Sequence, residues 1–471
     1  MIVLPRAAAR AFRALARKCH ASRPRGPAPP VTIRQHDGRL TLHTDLGEAF
    51  LTWAGSAGTE SEAFAFPMAL LDAVDGPGDD PVQIVCEGTD GAVARWADRG
   101  VPRTFPVEYA TPDPALAPPE EPTARADMPS SFLVAMHEAG RTAAREPSRY
   151  ALQRIQVRGK KGQIVGTNGK RAYLRSGFPF PFVEDVLVPA VPVFGARGLA
   201  SSDRVRVGRT DTRLVVAVGP WTIGLSIDAD GRFPDVSGVL PRQAPGVVGI
   251  DEVDAVALVD ALPGLPVKDD ETPSVTLDVD RGVRVRAGVE GETVEVFLTR
   301  STFAGPPVRV ALVRTDLTRL LTLGCRTLRI AGPEKPVVGE ADHLTFAIMP
   351  LDEGSVVPFT AAATRLETDD VGRVVPRNGG NGRTDASPNP ATIPIPSPEE
   401  RTAMKPSLPP ANPEPNHEVL DPLAEAEGLR NALADVVTRV ARLVAALRHM
   451  KREKRALANV WSSLKDLHLG A

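Results

Sequence analysis

Apolar and polar residues mostly alternate over short runs between about residues 32 and 351, the period typical of half-buried β-strands. In one such run, Asp37 and Gly38 form a turn signal before apolar positions at Leu40, Leu42 and Phe50. A turn of this type beside an alternating run predicts a hairpin. The same style recurs over residues 154–174, 204–227 and 275–298. The pattern therefore predicts many short antiparallel strands.

Helical periodicity is confined to fewer segments, which divide two by two among three stretches of similar length. These predicted helices cover residues 6–18, 67–74, 131–144, 188–197, 251–262 and 316–323. Proline-rich joins precede Met128 and Val247. We therefore predict an α+β protein of three similar domains, each with two helices and antiparallel sheets, over residues 1–127, 128–245 and 246–352.

The chain changes character after Asp352. Residues 353–417 are rich in Pro, Asn, Gly, Thr and Ser, which predicts a disordered linker. Residues 418–467 predict a long coiled-coil helix, because apolar side chains recur at heptad a and d positions: Leu429, Leu433, Val436, Val440, Leu443, Leu447, Met450, Leu457, Trp461 and Leu464. The alternative is one amphipathic helix that packs back on a domain. The basic run at residues 448–455 is interpreted as a solvated face, with nucleic-acid contact as the other interpretation.

Composition limits the classes of function. The 471 residues carry a formal net charge of −2, so any nucleic-acid contact must come from a local basic face. Three scattered cysteines, Cys19, Cys86 and Cys325, argue against both a disulfide framework and structural zinc. No apolar run is long enough to span a membrane. The Arg-rich residues 1–25 read either as an organelle transit peptide or as a first strand and helix.

Four short strings occur in a distinctive order and spacing along the β-rich region. They are TDL at residues 44–46, TNGKRAY at 167–173, GRFPDVSGVLP at 231–241 and FAIMPL at 346–351. Together they resemble motifs of the bacterial β sliding clamp, the processivity subunit of the replicative DNA polymerase. The resemblance covers residues 1–352, about three quarters of the chain.

The resemblance implies three tandem clamp domains and a non-catalytic protein that needs no cofactor and no metal. It implies a head-to-tail homodimeric ring around duplex DNA, in the bacterial cytoplasm at the nucleoid. It further implies that the polymerase catalytic subunit and the clamp loader bind through short apolar peptides. The tail adds a further coiled-coil partner as an open possibility.

The resemblance also implies a peptide-binding cleft between the second and third domains. The positions carried over are Leu152, Thr167, Gly169, Lys170, Arg171, Ala172, Pro234, Val239, Met349, Pro350 and Leu351. Met gives an adaptable apolar wall, and the prolines stiffen it. Without the resemblance, Leu152, Val239 and Met349 would be interpreted as ordinary core residues.

The chain departs from the family at this cleft. Ala172 stands where the family has a larger apolar residue, and Asp352 stands where it usually has a basic one. Met349 and Pro350 are followed by more than a hundred further residues, so the tail must leave beside the cleft. We therefore expect one altered subsite and a tail able to shield the cleft or compete for it.

Predicted DNA-facing residues lie on helices of the first two domains. On the first helix, arginines spaced by four, three and four residues share one face, opposite an apolar stripe. In the second domain, the candidate residues lie on the predicted helix at 131–144 and just after it. The full set is Arg6, Arg10, Arg13, Arg17, His137, Arg141, Arg145, Arg149 and Tyr150. Each could instead be a solvated side chain, and the acidic helix at 251–262 would repel DNA if it faced the same way.

Catalytic motifs find little support. The His36-Asp37-Gly38 string lies at a predicted hairpin turn, and residues 166–171 lack the spacing of a phosphate-binding loop. The alternative to a DNA-encircling clamp is therefore a scaffold with the clamp fold. Such a scaffold would no longer encircle DNA and would act through partner peptides and its coiled-coil tail.

Overall fold

The computed structural model describes residues 1–377 apart from 23–25, 88–90, 109, 115–117, 119, 201–203, 242, 268–271 and 290–291. These residues belong to one structural unit. The predicted coiled coil, with all its heptad positions, lies outside the described residues.

The described part of the chain contains seven α-helices, most of them short. They are α1 (Arg6–Ala16), α2 (Ala69–Ala73), α3 (Ser131–Thr142), α4 (Arg197–Ala200), α5 (Val236–Val239), α6 (Glu252–Ala261) and α7 (Arg314–Thr322). The pattern on α1 explains its packing, because Phe12 and Leu15 are buried while the arginines lie on another face. On α6 the side chain of Asp251 caps the helix by accepting a hydrogen bond from the Val253 amide.

The strands are numerous and short, as the alternating pattern predicts. The first eight are β1 (Ile2–Leu4), β2 (Val31–His36), β3 (Arg39–Asp45), β4 (Ala49–Ser56), β5 (Glu62–Phe66), β6 (Val82–Glu87), β7 (Gly91–Asp98) and β8 (Val101–Glu108). The next eight are β9 (Arg125–Met128), β10 (Arg154–Arg158), β11 (Gln163–Thr167), β12 (Arg171–Ser176), β13 (Asp185–Pro189), β14 (Val205–Arg209), β15 (Arg213–Val218) and β16 (Trp221–Ser226).

The remaining strands follow the join at residues 241–245. They are β17 (Gly246–Gly249), β18 (Ser274–Val279), β19 (Val283–Val289), β20 (Glu292–Leu298), β21 (Thr302–Ala304), β22 (Val308–Val313), β23 (Thr327–Ile330), β24 (Val337–Ala341), β25 (Leu344–Ile348), β26 (Thr364–Thr368) and β27 (Val374–Pro376). The last two lie beyond the three predicted domains.

Two large sheets run across the predicted domain boundaries. The eight-stranded sheet has the order β5-β2-β3-β4-β16-β15-β14-β9, and β4 joins it to β16 in antiparallel pairing. The nine-stranded sheet has the order β13-β10-β11-β12-β25-β24-β23-β17-β21, joined by β12 and β25. Each junction is therefore a continuous sheet.

Two smaller sheets do not cross a boundary between the three predicted domains. The first has the order β1-β6-β7-β8. The other has the order β22-β18-β19-β20-β26-β27 and includes the two strands that follow residue 352. Helices pack against the sheets and share one buried apolar core with them, which includes Phe12, Phe132 and Phe346. None of the helices among the described residues is long and apolar enough to cross a membrane.

The predicted helix at 188–197 is wrong for most of its length. Residues 185–189 form β13, and Pro192–Gly195 forms a single 3-10 turn before α4. Val186 and Val188 are buried as β13 pairs with β10. The apolar run around Val188 thus reflects a buried strand, which periodicity alone does not separate from a helix.

The predicted disordered linker is wrong for residues 353–377. A 3-10 turn at Glu353–Ser355 is followed by β26 and β27, and β26 adds to the edge of β20 in parallel pairing. The amide of Val357 donates to the hydroxyl of Thr276 at 2.8 Å. This segment is too short to bury a core of its own, but it is ordered by a sheet that already exists.

A buried ion pair holds α3 against α7 beside the nine-stranded sheet. Arg319 donates to Glu138 at 2.7 and 2.9 Å and to the hydroxyl of Thr142 at 2.8 Å. Its guanidinium also lies 5.1 Å from the centre of the Phe346 ring. The same guanidinium keeps the pKa of Glu138 below its ordinary value even though burial acts in the opposite direction. Burial lowers the pKa of Arg319 despite the attraction of Glu138, so the pair offsets the cost of desolvating the carboxylate more fully than that of desolvating the guanidinium.

Replacing Arg319 by Ala should lower the free energy of unfolding by about 3 kcal/mol, because Glu138 would remain buried without its cation. Urea denaturation followed by circular dichroism measures the change. Arg329→Ala is the matched control, since Arg329 pairs with Glu340 where both side chains are more than a third exposed. An equal loss in both variants would contradict a special role for the buried pair.

Candidate functional site

An apolar cleft opens where the nine-stranded sheet passes from the second to the third predicted domain. Its free volume of about 120 Å³ approaches the roughly 150 Å³ of a cavity that holds a benzene molecule. Three short segments enclose it, namely the turn between β11 and β12, the helix α5 with its flanks, and the end of β25. The lining residues are Thr167, Gly169, Lys170, Arg171, Ala172, Pro234, Asp235, Val236, Val239, Leu240, Pro336, Ala347 and Met349.

The turn at one side of the cleft is fixed by its own side chains. Asn168 accepts hydrogen bonds from the amides of Lys170 and Arg171, both at 3.0 Å. Thr167 donates to the carbonyl of Arg171 at 2.7 Å and accepts from the amide of Gly169. Gly169 has a φ of +86°, a conformation that favours glycine. The string TNGKR therefore encodes a rigid wall.

The second wall is α5, which is only four residues long. Asp235 caps it by accepting from the amide of Ser237, and Arg158 donates to the Ser237 hydroxyl at 2.9 Å. Val236 is buried, whereas Val239 is 64% exposed. The helix is thus anchored at its start and offers an apolar side chain to the cleft.

The third wall follows from the pairing of β12 with β25. Ala172 lies opposite Ala347 in this pairing, and both are buried. Two small side chains side by side leave depth where larger ones would fill the space. Just beyond β25, the amide of Met349 donates to the carbonyl of Lys170 at 2.8 Å, and Met349 remains 36% exposed.

The structure brings eight of the eleven predicted cleft residues into this lining. The other three lie beside it. Leu152 would come within 4.0 Å of a side chain at Gly169. Pro350 and Leu351 carry the chain away, and the Leu351 amide donates to the carbonyl of Ala311 at 2.8 Å. The use of this cleft for peptides stays a prediction.

The prediction omitted five lining residues. Asp235, Val236 and Leu240 stand inside the quoted string GRFPDVSGVLP, so the motif itself could have signalled them. Ala347 likewise stands inside the quoted string FAIMPL. Pro336 has no such signal, because it reaches the cleft only through the long-range pairing of β12 with β25, which carries β24 beside it.

Charged groups stand at the rim of the cleft. Arg171 forms an ion pair with the nearly buried Asp316 at the start of α7, which ties the turn to the third domain. The Asp235 side chain is 75% exposed. The described residues contain no cluster of His, Cys, Asp and Glu able to hold a metal ion. An apolar floor with a charged rim is suited to binding a short apolar segment.

The prediction that Arg6 faces DNA is wrong. Arg6 is 1% exposed, and its Nε donates to the carbonyl of Val74 at 2.7 Å. Its guanidinium also donates to the carbonyl of Ala97 and to Asp98, both at 3.3 Å. A side chain at Gly76 would come 2.5 Å from this guanidinium. Arg6 therefore holds α1 against the loop after α2 and against β7.

The other three arginines of α1 are engaged by carboxylates of the chain itself. Arg10, Arg13 and Arg17 all make ion pairs with α2 and the loop that follows it, through Asp72, Asp75 and Asp79. Only Arg17 is more than half exposed, with 64% of its side chain accessible. These pairs reduce the net positive potential of the helix face.

The second-domain candidates divide into two groups. Burial lowers the pKa of His137, whose ring packs against the turn at Gly195. His137 therefore supplies no cation at neutral pH. Arg141 is 56% exposed and pairs with Glu138. Arg145, Arg149 and Tyr150 are exposed at the end of α3 and in the loop that follows it.

Replacing Arg6 by Ala should lower the free energy of unfolding by about 2–3 kcal/mol, because several buried acceptors would lose their donor. Arg17→Ala, which removes an exposed cation from the same helix, should change it by less than about 0.5 kcal/mol. Thermal unfolding of the two variants checks this. If the two variants are equally stable, Arg6 contributes no more to stability than an exposed cation does.

Comparison with known proteins identifies the architecture. No protein-family model and no curated protein matches the sequence. Solved structures do match. The DNA polymerase III subunit beta from Pseudomonas aeruginosa has a TM-score of 0.60 and 19% sequence identity, covering 74% of this chain and 100% of that chain. The Thermotoga maritima beta subunit has a TM-score of 0.60 and 14% identity, covering 74% and 99%.

The Caulobacter crescentus beta sliding clamp has a TM-score of 0.61 and 18% identity, covering 74% of this chain and 98% of that chain. That structure contains PEG bound to its putative beta-motif tethering region. All three similarities extend over essentially the whole of the matched protein. The predicted resemblance is therefore confirmed for the fold, since this chain folds like the bacterial sliding clamps, the beta subunits of DNA polymerase III.

Proposed function

We propose that this chain is a DNA sliding clamp, which closes as a ring of two copies around duplex DNA. It tethers the polymerase catalytic subunit, the clamp loader and other partners through the cleft between its second and third domains. The observation that carries the proposal is the likeness to sliding clamps over their whole length, together with a preformed apolar cleft at a domain junction. Because a closed ring holds DNA by topology, tight affinity for DNA is not required.

The surroundings of the acidic side chains on α6 favour DNA encirclement over the scaffold alternative. From the sequence, this acidic helix looks repulsive to DNA. In the structure Asp254 is fully buried and accepts from the amide and hydroxyl of Ser301, while Glu252 pairs with Arg326. Asp251 is occupied as the helix cap. Three of the four carboxylates at α6 therefore have partners within the protein, while Asp260 is exposed.

DNA contact then falls on fewer cations than the sequence predicts. Since Arg6 is buried and the other α1 arginines and Arg141 are paired with carboxylates, the exposed Arg145 and Arg149 after α3 are the best placed of the predicted set. Loosely held cations of this kind contact phosphates without reading sequence. Weak, salt-sensitive contacts are compatible with sliding.

The direct test is retention on circular DNA. The full-length protein should remain on nicked circles after loading by its own clamp loader, and should be lost when the circle is linearised. Loss on linearisation distinguishes topological encirclement from ordinary binding. Failure of loading with a competent loader would favour the scaffold. Retention after linearisation would indicate direct DNA binding instead.

The cleft has its own test. Replacing Val239 and Met349 by Ala should weaken binding of an apolar linear peptide from the polymerase catalytic subunit by at least about tenfold, because both exposed anchoring contacts are lost. Fluorescence anisotropy with a labelled peptide measures the affinity. Val183→Ala is the matched control, as Val183 is 67% exposed and does not line the cleft. Unchanged affinity in the double variant would remove the cleft assignment.

A further inference from the structure

The described residues contain six three-stranded meanders, and four of them join at their last strands. The meanders are β2-β3-β4, β6-β7-β8, β10-β11-β12, β14-β15-β16, β18-β19-β20 and β23-β24-β25. The last strands β4 and β16 pair across the first junction, and β12 and β25 pair across the second. Both pairings are antiparallel. The last strands of the two remaining meanders are β8 and β20.

By this internal repeat, β8 and β20 are the strands that would join one copy of the chain to the next. They have similar lengths of eight and seven residues. They lie in the first and third predicted domains, so pairing between copies would be head-to-tail. A contact between two different surfaces closes into a ring when the rotation allows it. The repeat therefore assigns both strands to a third junction of the same type.

The β8 edge has no further strand in its sheet among the described residues, but two prolines interrupt its row of backbone donors. Pro102 and Pro106 lie in register with Ala97 and Val93 of β7. Since proline cannot donate to β7, these positions belong to the set whose backbone groups point away from β7. Thr104 and Glu108 belong to the same set and keep their amides. Two of the four outward donors are thus missing, which protects the edge and weakens any strand that adds to it.

The β20 edge is already occupied by the chain itself. β26 pairs with it over Val294–Phe297, in parallel, whereas both internal junctions are antiparallel. Thr364 and Arg365 at the start of β26 are exposed, and Leu366 is only partly buried. Four parallel pairs with an exposed start form a weaker union than the five antiparallel pairs of β12 and β25.

The far end of β26 is better anchored than its start. Thr368 donates to the buried carboxylate of Asp254 at 2.5 Å and accepts from the amide of Thr299 at 3.0 Å. The Arg377 guanidinium lies 4.9 Å from the centre of the Phe297 ring. The segment is therefore held at defined points, and its exposed start is where opening costs least.

We propose that β26 and β27 act as a built-in cap on β20, which takes the place of β8 from a second copy of this chain. The cap and the second copy compete for the same backbone groups of β20, so the ring closes through this edge only when the cap has moved away. This inference rests on the proposed ring. It identifies the edge at which the ring closes and the segment that controls closure.

Hydrogen exchange of the full-length protein tests the cap. Leu366→Asp places a charge where β26 meets the core and should release it. The amides of Thr104 and Glu108 should then exchange at least about tenfold more slowly, because β8 gains a partner, and the dimer should dissociate at least about tenfold less. Thr364→Asp is the matched control, since it adds the same charge to β26 at an exposed position. It should behave like the unchanged protein.

A disulfide that fixes β26 to β20 provides a second variant, which should prevent β8 from pairing with β20. Val294 and Thr364 are partners in the pairing of β20 with β26, so Val294→Cys with Thr364→Cys can be joined by a disulfide. The oxidised protein should show no slowing at Thr104 and Glu108 at any concentration, and reduction should restore it. This comparison uses folded protein even if Leu366→Asp fails to fold.

The outcomes separate the cap from the ring. If β8 becomes protected equally in the locked and unlocked protein, the cap proposal is overturned while ring closure through β8 stands. If sedimentation shows a ring-forming dimer whose β8 amides never slow, closure uses other surfaces and the cap proposal fails. If no variant self-associates or stays on circular DNA, the proposed function fails together with the cap.

Discussion

A strand edge has to be paired or protected, and the architecture of this protein depends on how its edges are treated. The pairings of β4 with β16 and of β12 with β25 turn separate meanders into continuous sheets. The second pairing also makes the cleft, because it places the end of β25 beside the turn at 167–171. The buried pair of Arg319 and Glu138 then fixes the helices that lie behind that junction. The candidate cleft thus forms where two predicted domains join by their strand edges.

More charged side chains form ion pairs and hydrogen bonds within the protein than the sequence suggests. The helical spacing of Arg6, Arg10, Arg13 and Arg17 was sound, since they do share one region of α1. Their acidic partners lie about 55 to 92 residues later in the chain, a distance over which helical periodicity carries no information. The same holds for Asp254 and Thr368, which are separated by 114 residues. Local patterns identify charged residues but leave their partners unknown.

Much of the fold and most of the cleft were predictable from sequence for an identifiable reason. Alternation and turn residues are local signals, and the cleft motifs are short strings whose backbone geometry is encoded within them, as in Asn168 and Gly169. The helix assigned around Val188 failed because a buried strand lacks alternation. The linker failed because strand addition orders a segment through backbone hydrogen bonds, which its composition does not reveal. Pro336 reached the cleft by the long-range pairing of β12 with β25, which no local string encodes.

The cleft and the capped edge are close in sequence but mechanically separate. The chain leaves the cleft at Met349, whose amide is bonded to Lys170, and Leu351 is bonded to Ala311 of β22. The first of these contacts is made to the turn between β11 and β12, and the second to a strand of the six-stranded sheet. Release of β26 therefore ends at these fixed points and need not disturb Met349. Under the two proposals, a partner peptide in the cleft and a second copy at β20 would consequently bind with little coupling free energy between the two sites.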